Sequence, residues 1–248
     1  MGLSTIRFSV KENPLYVKAY SCYFSILPEL RNAPQDTNND TMEEQEDLNT
    51  LTQDQKINTL PPKNTLIFKL IQDLPLKTEE KVLEINPTNT EHLSYLFQKA
   101  KNISYSGTYP TESAIKEAFF TYKADGNALE FIKTTDNKLD FHDNFFDYCF
   151  TANTIYFWPD PLKYLAESYR VLKPGGKMNL AFVEKKFGGD LPWTQLDFTF
   201  YEIDEVKSLF KQSGFANIEV KKMMETIMDQ NGKEIIKPFI MVSGQKNI

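Results

Sequence analysis

Residues Phe146 to Phe182 read FDYCFTANTIYFWPDPLKYLAESYRVLKPGGKMNLAF, and their order decides the fold. The apolar run Phe146 to Ala152 predicts a buried strand, Pro161 to Val171 a helix, and Lys177 to Val183 a second strand. Strand, helix and strand in that spacing make one parallel βαβ unit. Between helix and second strand stands Lys173-Pro174-Gly175-Gly176. Proline cannot continue a helix, and glycine takes the positive φ that swings the chain back into the sheet.

Composition bounds what such a unit belongs to. With 248 residues and 41% apolar composition, the chain is sized for one α/β domain with a full core plus an extension outside it. A net charge of −6 with dispersed basic residues gives no footprint for a polyanion, so nucleic acid is not expected as a partner. Two cysteines, Cys22 and Cys149, are too few for a disulfide framework, and Cys149 alternates within an apolar strand as a small buried thiol. No run approaches the roughly 18 apolar residues of a membrane span, and the N-terminus lacks the regions of a signal peptide. A cytoplasmic protein with no membrane partner is the expectation. Met1-Gly2 does not read as a myristoylation signal, because Ile6 stands where that pattern wants Ser or Thr.

Outward from the βαβ unit the chain divides in three. Residues 1–32 are an N-terminal extension whose segment Leu15 to Leu30 predicts one helix or strand. Residues 33–64, rich in Asn, Asp, Glu, Gln and Thr and closing with Pro61-Pro62, read as a flexible linker. From 65 onward helical and strand patterns alternate: a helix near Thr65 to Leu74, a strand at Lys81 to Ile85, a helix near Glu91 to Ala100. A strand at Ile103 to Gly107, a helix near Thr111 to Tyr122 and a strand at Leu129 to Thr134 continue the series. After the βαβ unit, YEIDEVKSLFKQSGF predicts a helix stopped by Gly214. The tail changes character, since ANIEVKKMMETIM and EIIKPFIMVSG flank an Asn231-Gly232 pair that signals a hairpin.

Phe146-Asp147 opening an apolar strand, followed by Leu165, Glu167, Arg170, Val171, Leu172, Lys173, Pro174, Gly175 and Gly176, closely resembles the class I S-adenosylmethionine-dependent methyltransferases. The resemblance runs from about Thr65 to Lys246 and makes 65–248 a methyltransferase-like domain. It implies an α/β fold: a doubly wound, mostly parallel, seven-stranded Rossmann-like sheet ending in an antiparallel hairpin. It also implies an enzyme that uses S-adenosylmethionine to methylate a small-molecule or protein acceptor.

In such a sheet the ligand lies at the carboxyl ends of the strands, where strand order reverses. The first turn here is VLEINPTNTEHL, which keeps the family's acid as Glu84 but has Asn86, Thr88 and Thr90 where the family has three glycines. Two readings stay open. Asn tolerates positive φ and Thr can bond a carboxylate or cap the next helix, which preserves a polar cofactor turn. Alternatively the added side chains fill the pocket, leaving a decayed methyltransferase fold that serves as a binding or scaffold protein without cofactor. At the end of the second strand Tyr109 replaces the acid that would hold the ribose hydroxyls, with Glu112 one turn on as a substitute. Asp136 and Asn137 end the third strand where the family meets adenine, Asp136 as an acceptor for its amine or as an exposed loop acid, and Thr151 ends the fourth.

Asn153, Tyr156 and Trp158 follow that fourth strand and so lie at the mouth of the implied site, as acceptor-binding residues or as packing that holds the loop. Gly188-Gly189 before Leu191-Pro192-Trp193 suits a lid carrying Trp193, or an ordinary surface loop. His142 sits in a solvated turn, and His92 reads as a capping or surface residue. Neither has partners at metal-ligand spacing, and no metal is expected. No catalytic residue is singled out, because transfer from a sulfonium needs chiefly alignment and exclusion of water.

Overall fold

Strand β1 (Lys81–Ile85) is apolar apart from its first residue and Glu84, and it lies inside the sheet, paired on both sides. The computed structural model describes residues 65–122, 128–134, 138–188, 199–228 and 234–248. The other strands are β2 (Ser104–Tyr109), β3 (Ala128–Lys133), β4 (Phe146–Ala152), β5 (Leu172–Phe182), β6 (Ala216–Met228) and β7 (Glu234–Gln245). They form one seven-stranded sheet in the order β3-β2-β1-β4-β5-β7-β6. Pairs among β1 to β5 are parallel, whereas β7 runs antiparallel to both β5 and β6. The doubly wound sheet with a reversed tail is therefore as the sequence implies. The extension 1–32, the linker 33–64 and the Asn231-Gly232 turn lie outside the described residues.

Helices α1 (Leu66–Asp73), α2 (Leu93–Lys99) and α3 (Glu112–Thr121) bury Leu70, Ile71, Leu96 and Ile115 on one face of the sheet. Helix α4 (Pro161–Val171) and helix α6 (Ile203–Gln212) bury Leu165, Val171, Val206 and Phe210 on the other. A short α5 (Lys185–Gly188) follows β5. Asp160 caps α4 by accepting from the backbone of Lys163, and Pro161 stands at its first turn, where a missing N–H costs nothing. Gly214 ends α6 with φ 96°. No helix among the described residues is long and apolar enough to cross a membrane.

Strand β5 starts five residues before its expected beginning at Lys177, because the Lys-Pro-Gly-Gly corner itself pairs. Leu172 stands opposite Phe146, and Gly175 N–H donates to the Lys246 carbonyl at 2.9 Å. Only Gly175 uses positive φ, at 81°. Gly176 is needed for space: a Cβ there would come within 2.9 Å of the Lys173 carbonyl oxygen and 3.0 Å of that of Asp147.

The crossover from β3 to β4 carries no helix over 138–145. Arg170 holds it instead. Its guanidinium donates to the carbonyls of Leu139 (2.7 Å) and Phe141 (2.8 Å), to Asp143 (2.8 Å), and to both oxygens of Glu167 (2.8 Å each). Glu167 in turn accepts from the Leu139 N–H at 3.0 Å, and the contact with Arg170 holds its carboxyl below the usual range. The Glu-x-x-Arg of the signature thus ties the crossover to α4, and Lys173 pairs Asp147 at 2.7 Å beside it.

Helix α1 is eight residues long and has no side-chain cap of its own. Its ends are satisfied from afar. Glu225 of β6 accepts from the Leu66 N–H at 3.1 Å, and Lys99 of α2 donates to the carbonyls of Ile71, Gln72 and Leu74 at 2.7 Å each. Burial raises the Glu225 carboxyl above its ordinary value, against the bond from Leu66 and the charges of Lys237 and Lys69, which lower it. A carboxyl raised in the fold favours the folded state fully below its unfolded value, and that advantage is lost as pH rises through the folded value. We expect Glu225→Gln, which keeps the acceptor oxygen without the charge, to gain on the native protein as pH rises from 4 to 7. Urea midpoints across that range would test this, and a difference that did not change with pH would contradict it.

Candidate functional site

Strand order reverses between β1 and β4, so the carboxyl ends of these two strands open the crevice in which a ligand lies in this class of sheet. The chain leaves β1 at Ile85 and turns at Asn86, whose φ of 52° is the left-handed conformation that glycine adopts most easily. Its N–H donates to the Thr108 carbonyl at 2.9 Å, and the residue is buried. Asn86 therefore takes the glycine's conformation, as the polar-turn reading requires.

The threonines behave differently. Thr88 is half-buried and lines a cavity of about 40 Å³ together with Asn89, Thr90, Tyr109, Ala114, Glu117, Ala118 and Thr121. Thr90 is buried, and its hydroxyl lies 2.9 Å from that of Thr121 on α3. The Thr121 hydroxyl already donates to the carbonyls of Glu117 and Ala118, so Thr90 is the donor. Thr90 thus latches the first turn to α3, and it caps the following helix only through its backbone carbonyl, 3.1 Å from Leu93 N.

Glu84 points beneath this turn and is buried. One carboxylate oxygen, Oε2, accepts from the Tyr105 hydroxyl at 2.5 Å and from His92 Nε2 at 2.7 Å. Beside this charge, burial raises the Tyr105 hydroxyl well above its ordinary value, so it stays protonated and donates. His92 is consequently a correction. It occupies the N-cap position of α2 without a side-chain capping bond, and instead of lying at the surface it is 2% exposed, edge-on to Phe150.

Tyr109 ends β2 buried against Phe131, with ring centroids 5.6 Å apart at 80°. Glu112 is exposed in the first turn of α3 and is not among the cavity's lining residues, whereas Glu117 is. Thr151 is fully buried and donates to the Ile85 carbonyl at 2.7 Å, with the Thr154 hydroxyl at 2.5 Å. It pins the end of β4 to the end of β1. Asp136 and Asn137 lie outside the described residues.

On the acceptor side, Asn153 turns the chain with φ 57° and donates its N–H to the Ala181 carbonyl at 2.8 Å. The Tyr156 hydroxyl accepts from Val183 N and lies 3.3 Å from Asn153 Oδ1. These two half-buried residues are brought together at the end of β5. Trp158 is not with them: its ring is buried and stacks on Tyr164 at 4.7 Å and 16°, inside the core under α4. The packing alternative holds for it. Trp193 and the proposed lid beyond Gly188 lie outside the described residues, and His142 is exposed in its turn. Glu184, which sequence reasoning passed over because VEKK reads as a solvated run, is buried just after Val183 and pairs Lys186 at 2.8 Å.

A larger cavity of about 420 Å³ is lined by Lys81, Ser104, Ser106, Ala128, Glu130 and Phe145 among others. It lies at the amino ends of the strands, the edge opposite the crevice. No group of three or more possible metal ligands occurs among the described residues.

Residues 83–180 match the family model described as a methyltransferase domain. The chain is 28% identical over 101 residues to phosphoethanolamine N-methyltransferase 2 of Caenorhabditis elegans, covering 37% of this chain and 23% of the relative. It is 28% identical over 131 residues to the chloroplastic 2-methyl-6-phytyl-1,4-hydroquinone methyltransferase of Arabidopsis thaliana, covering 50% of this chain and 36% of that one. The chain spans about a quarter to a third of the length of these relatives. Among solved structures, phosphoethanolamine N-methyltransferase 2 of Haemonchus contortus, in complex with phosphomonomethylethanolamine and S-adenosylhomocysteine, superposes with a TM-score of 0.56 at 17% identity. That match covers 72% of this chain and 51% of the other, and it shows the shared fold.

Proposed function

We propose that this chain, whose residues 83–180 are a methyltransferase domain of the class I S-adenosylmethionine-dependent kind, binds S-adenosylmethionine at the crevice between β1 and β4 and methylates a small-molecule or exposed protein acceptor. The observation that carries the reading is the left-handed Asn86, which keeps the backbone of the first turn in the form a glycine would give it. Thr151 supports the same turn from β4 through the Ile85 carbonyl. On this reading Asn86 and Thr151 would shape the turn that meets the cofactor's amino-acid end. At the ribose end Tyr109 offers a single hydroxyl, and Glu117, beside the small cavity that both line, would supply a carboxylate.

When bound, S-adenosylmethionine supplies a methyl group on a positively charged sulfur. The protein's share of the work is alignment and exclusion of water. Asn153 and Tyr156, fixed to the end of β5, orient the acceptor, and the half-buried Phe157 and Phe200 beside Tyr156 keep water away from it. The two relatives act on a phosphoethanolamine and on a hydroquinone by name, so acceptor chemistry varies on this framework and is set by loops.

Isothermal titration with S-adenosylmethionine tests the reading. Binding in the micromolar range is expected, weakened about tenfold by Glu117→Gln through loss of a charged hydrogen bond worth about 1.5 kcal/mol or more. Glu117 is exposed, so that variant should remain folded. Absence of binding to the native protein at millimolar cofactor would favour a cofactor-free binding or scaffold role.

A further inference from the structure

We infer that His92 is a positioning residue, which staples the two ends of the glycine-free first turn by binding Glu84 and so holds that turn ready for the cofactor; this rests on the cofactor reading above. Glu84 is the last but one residue of β1 and His92 directly precedes α2, and the 2.7 Å contact between their side chains closes the loop at its base. Both residues are buried, so the bond forms away from competing water, and the Tyr105 hydroxyl anchors the same oxygen to β2 at 2.5 Å. A carboxylate only accepts, so His92 Nε2 carries the proton and donates it.

The staple answers a need created by the sequence. Three glycines would let a turn pack by close backbone approach, whereas Asn86, Thr88 and Thr90 add side chains that must be ordered. Thr90 ties the exit of the loop to α3 through Thr121. The Glu84 and His92 pair fixes entry and exit relative to each other. Glu84 is accordingly committed through Oε2 to holding the turn, which leaves its other oxygen for the cofactor.

The test uses full-length protein carrying His92→Phe, His92→Gln and Tyr105→Phe. The ring of Phe fills the volume without donating, Gln restores a donor, and Tyr105→Phe removes one of the two bonds with almost no change of shape. Affinity for S-adenosylhomocysteine is read by titration, melting temperature by calorimetry, and exchange of the amides of 86–92 by hydrogen–deuterium mass spectrometry. Expected are a loss of affinity of tenfold or more in His92→Phe, a smaller loss in Tyr105→Phe, and recovery to within about threefold of native in His92→Gln. Amide exchange across the turn should quicken in the same order. A His92→Phe protein with a lower melting temperature but native affinity and native exchange would reduce His92 to a structural residue and overturn the inference. Exchange that follows the predicted order in a native protein unable to bind S-adenosylhomocysteine would keep the staple and discard the cofactor reading. Should His92→Phe fail to fold, Tyr105→Phe with unaltered affinity and exchange overturns the inference alone.

Discussion

Replacing Arg170 by Ala is expected to destabilise the protein by about 3 kcal/mol, because one partly buried guanidinium loses several charged hydrogen bonds at once, each worth about 1.5 kcal/mol or more. The loss is large because one side chain serves the carbonyls of Leu139 and Phe141 and the carboxylate of Glu167. Truncation leaves those part-buried acceptors without their donor. For a domain of this size the melting temperature should fall by roughly 6 to 12 °C. Arg170→Lys should recover only part of it, because an ammonium cannot span two carbonyls and a carboxylate in one plane. Cofactor affinity should be unchanged where the variant is folded. A shift under 2 °C would show that the Glu-x-x-Arg of the signature is not what holds the crossover.

The second large effect concerns the first turn itself. Asn86→Gly, Thr88→Gly and Thr90→Gly together would give the chain the three glycines of the family pattern it resembles. The triple variant is nevertheless expected to bind S-adenosylmethionine at least tenfold more weakly, about 1.4 kcal/mol. Asn86 already holds φ 52°, so glycine there relieves no strain, and removing the Thr90 hydroxyl frees the turn from Thr121. Three glycines also enlarge the unfolded ensemble, which with the lost latch should cost roughly 2 to 3 kcal/mol of stability. Titration with circular dichroism as the control checks both numbers. A tenfold gain of affinity would mean that the native side chains block the crevice, and that the fold survives here without its cofactor.

Much of this architecture is legible in the sequence because it is written in local periodicity. Lys81–Ile85, Phe146–Ala152, Pro161–Val171 and Ala216–Met228 fall where the pattern of apolar residues puts them, and Asn86 turns as an asparagine in a glycine's place should. What escaped is partnership at a distance. His92 looks like a polar residue at a helix start until Tyr105, from another strand, and Glu84 are seen around it. Trp158 looks like a residue at a mouth because it follows a strand end, yet the 3₁₀ turn Ile155–Phe157 rotates it inward onto Tyr164. Glu184 hides in a charged run, and the bond from Glu225 to Leu66 spans 159 positions. No window of sequence contains both ends of such a contact.

The two remote caps of α1 bear on the order in which the chain is finished. Eight residues do not sustain a helix alone, and the N-terminal end of this one is satisfied by Glu225, 159 positions further along the chain. A nascent chain still lacking β6 therefore holds Leu66, Leu70 and Ile71 without the neighbours Phe239 and Met241 that complete their core. A chain ending before β6 and β7 would thus leave the N-terminal end of α1 uncapped and part of its apolar face uncovered, the kind of surface on which partly folded chains aggregate.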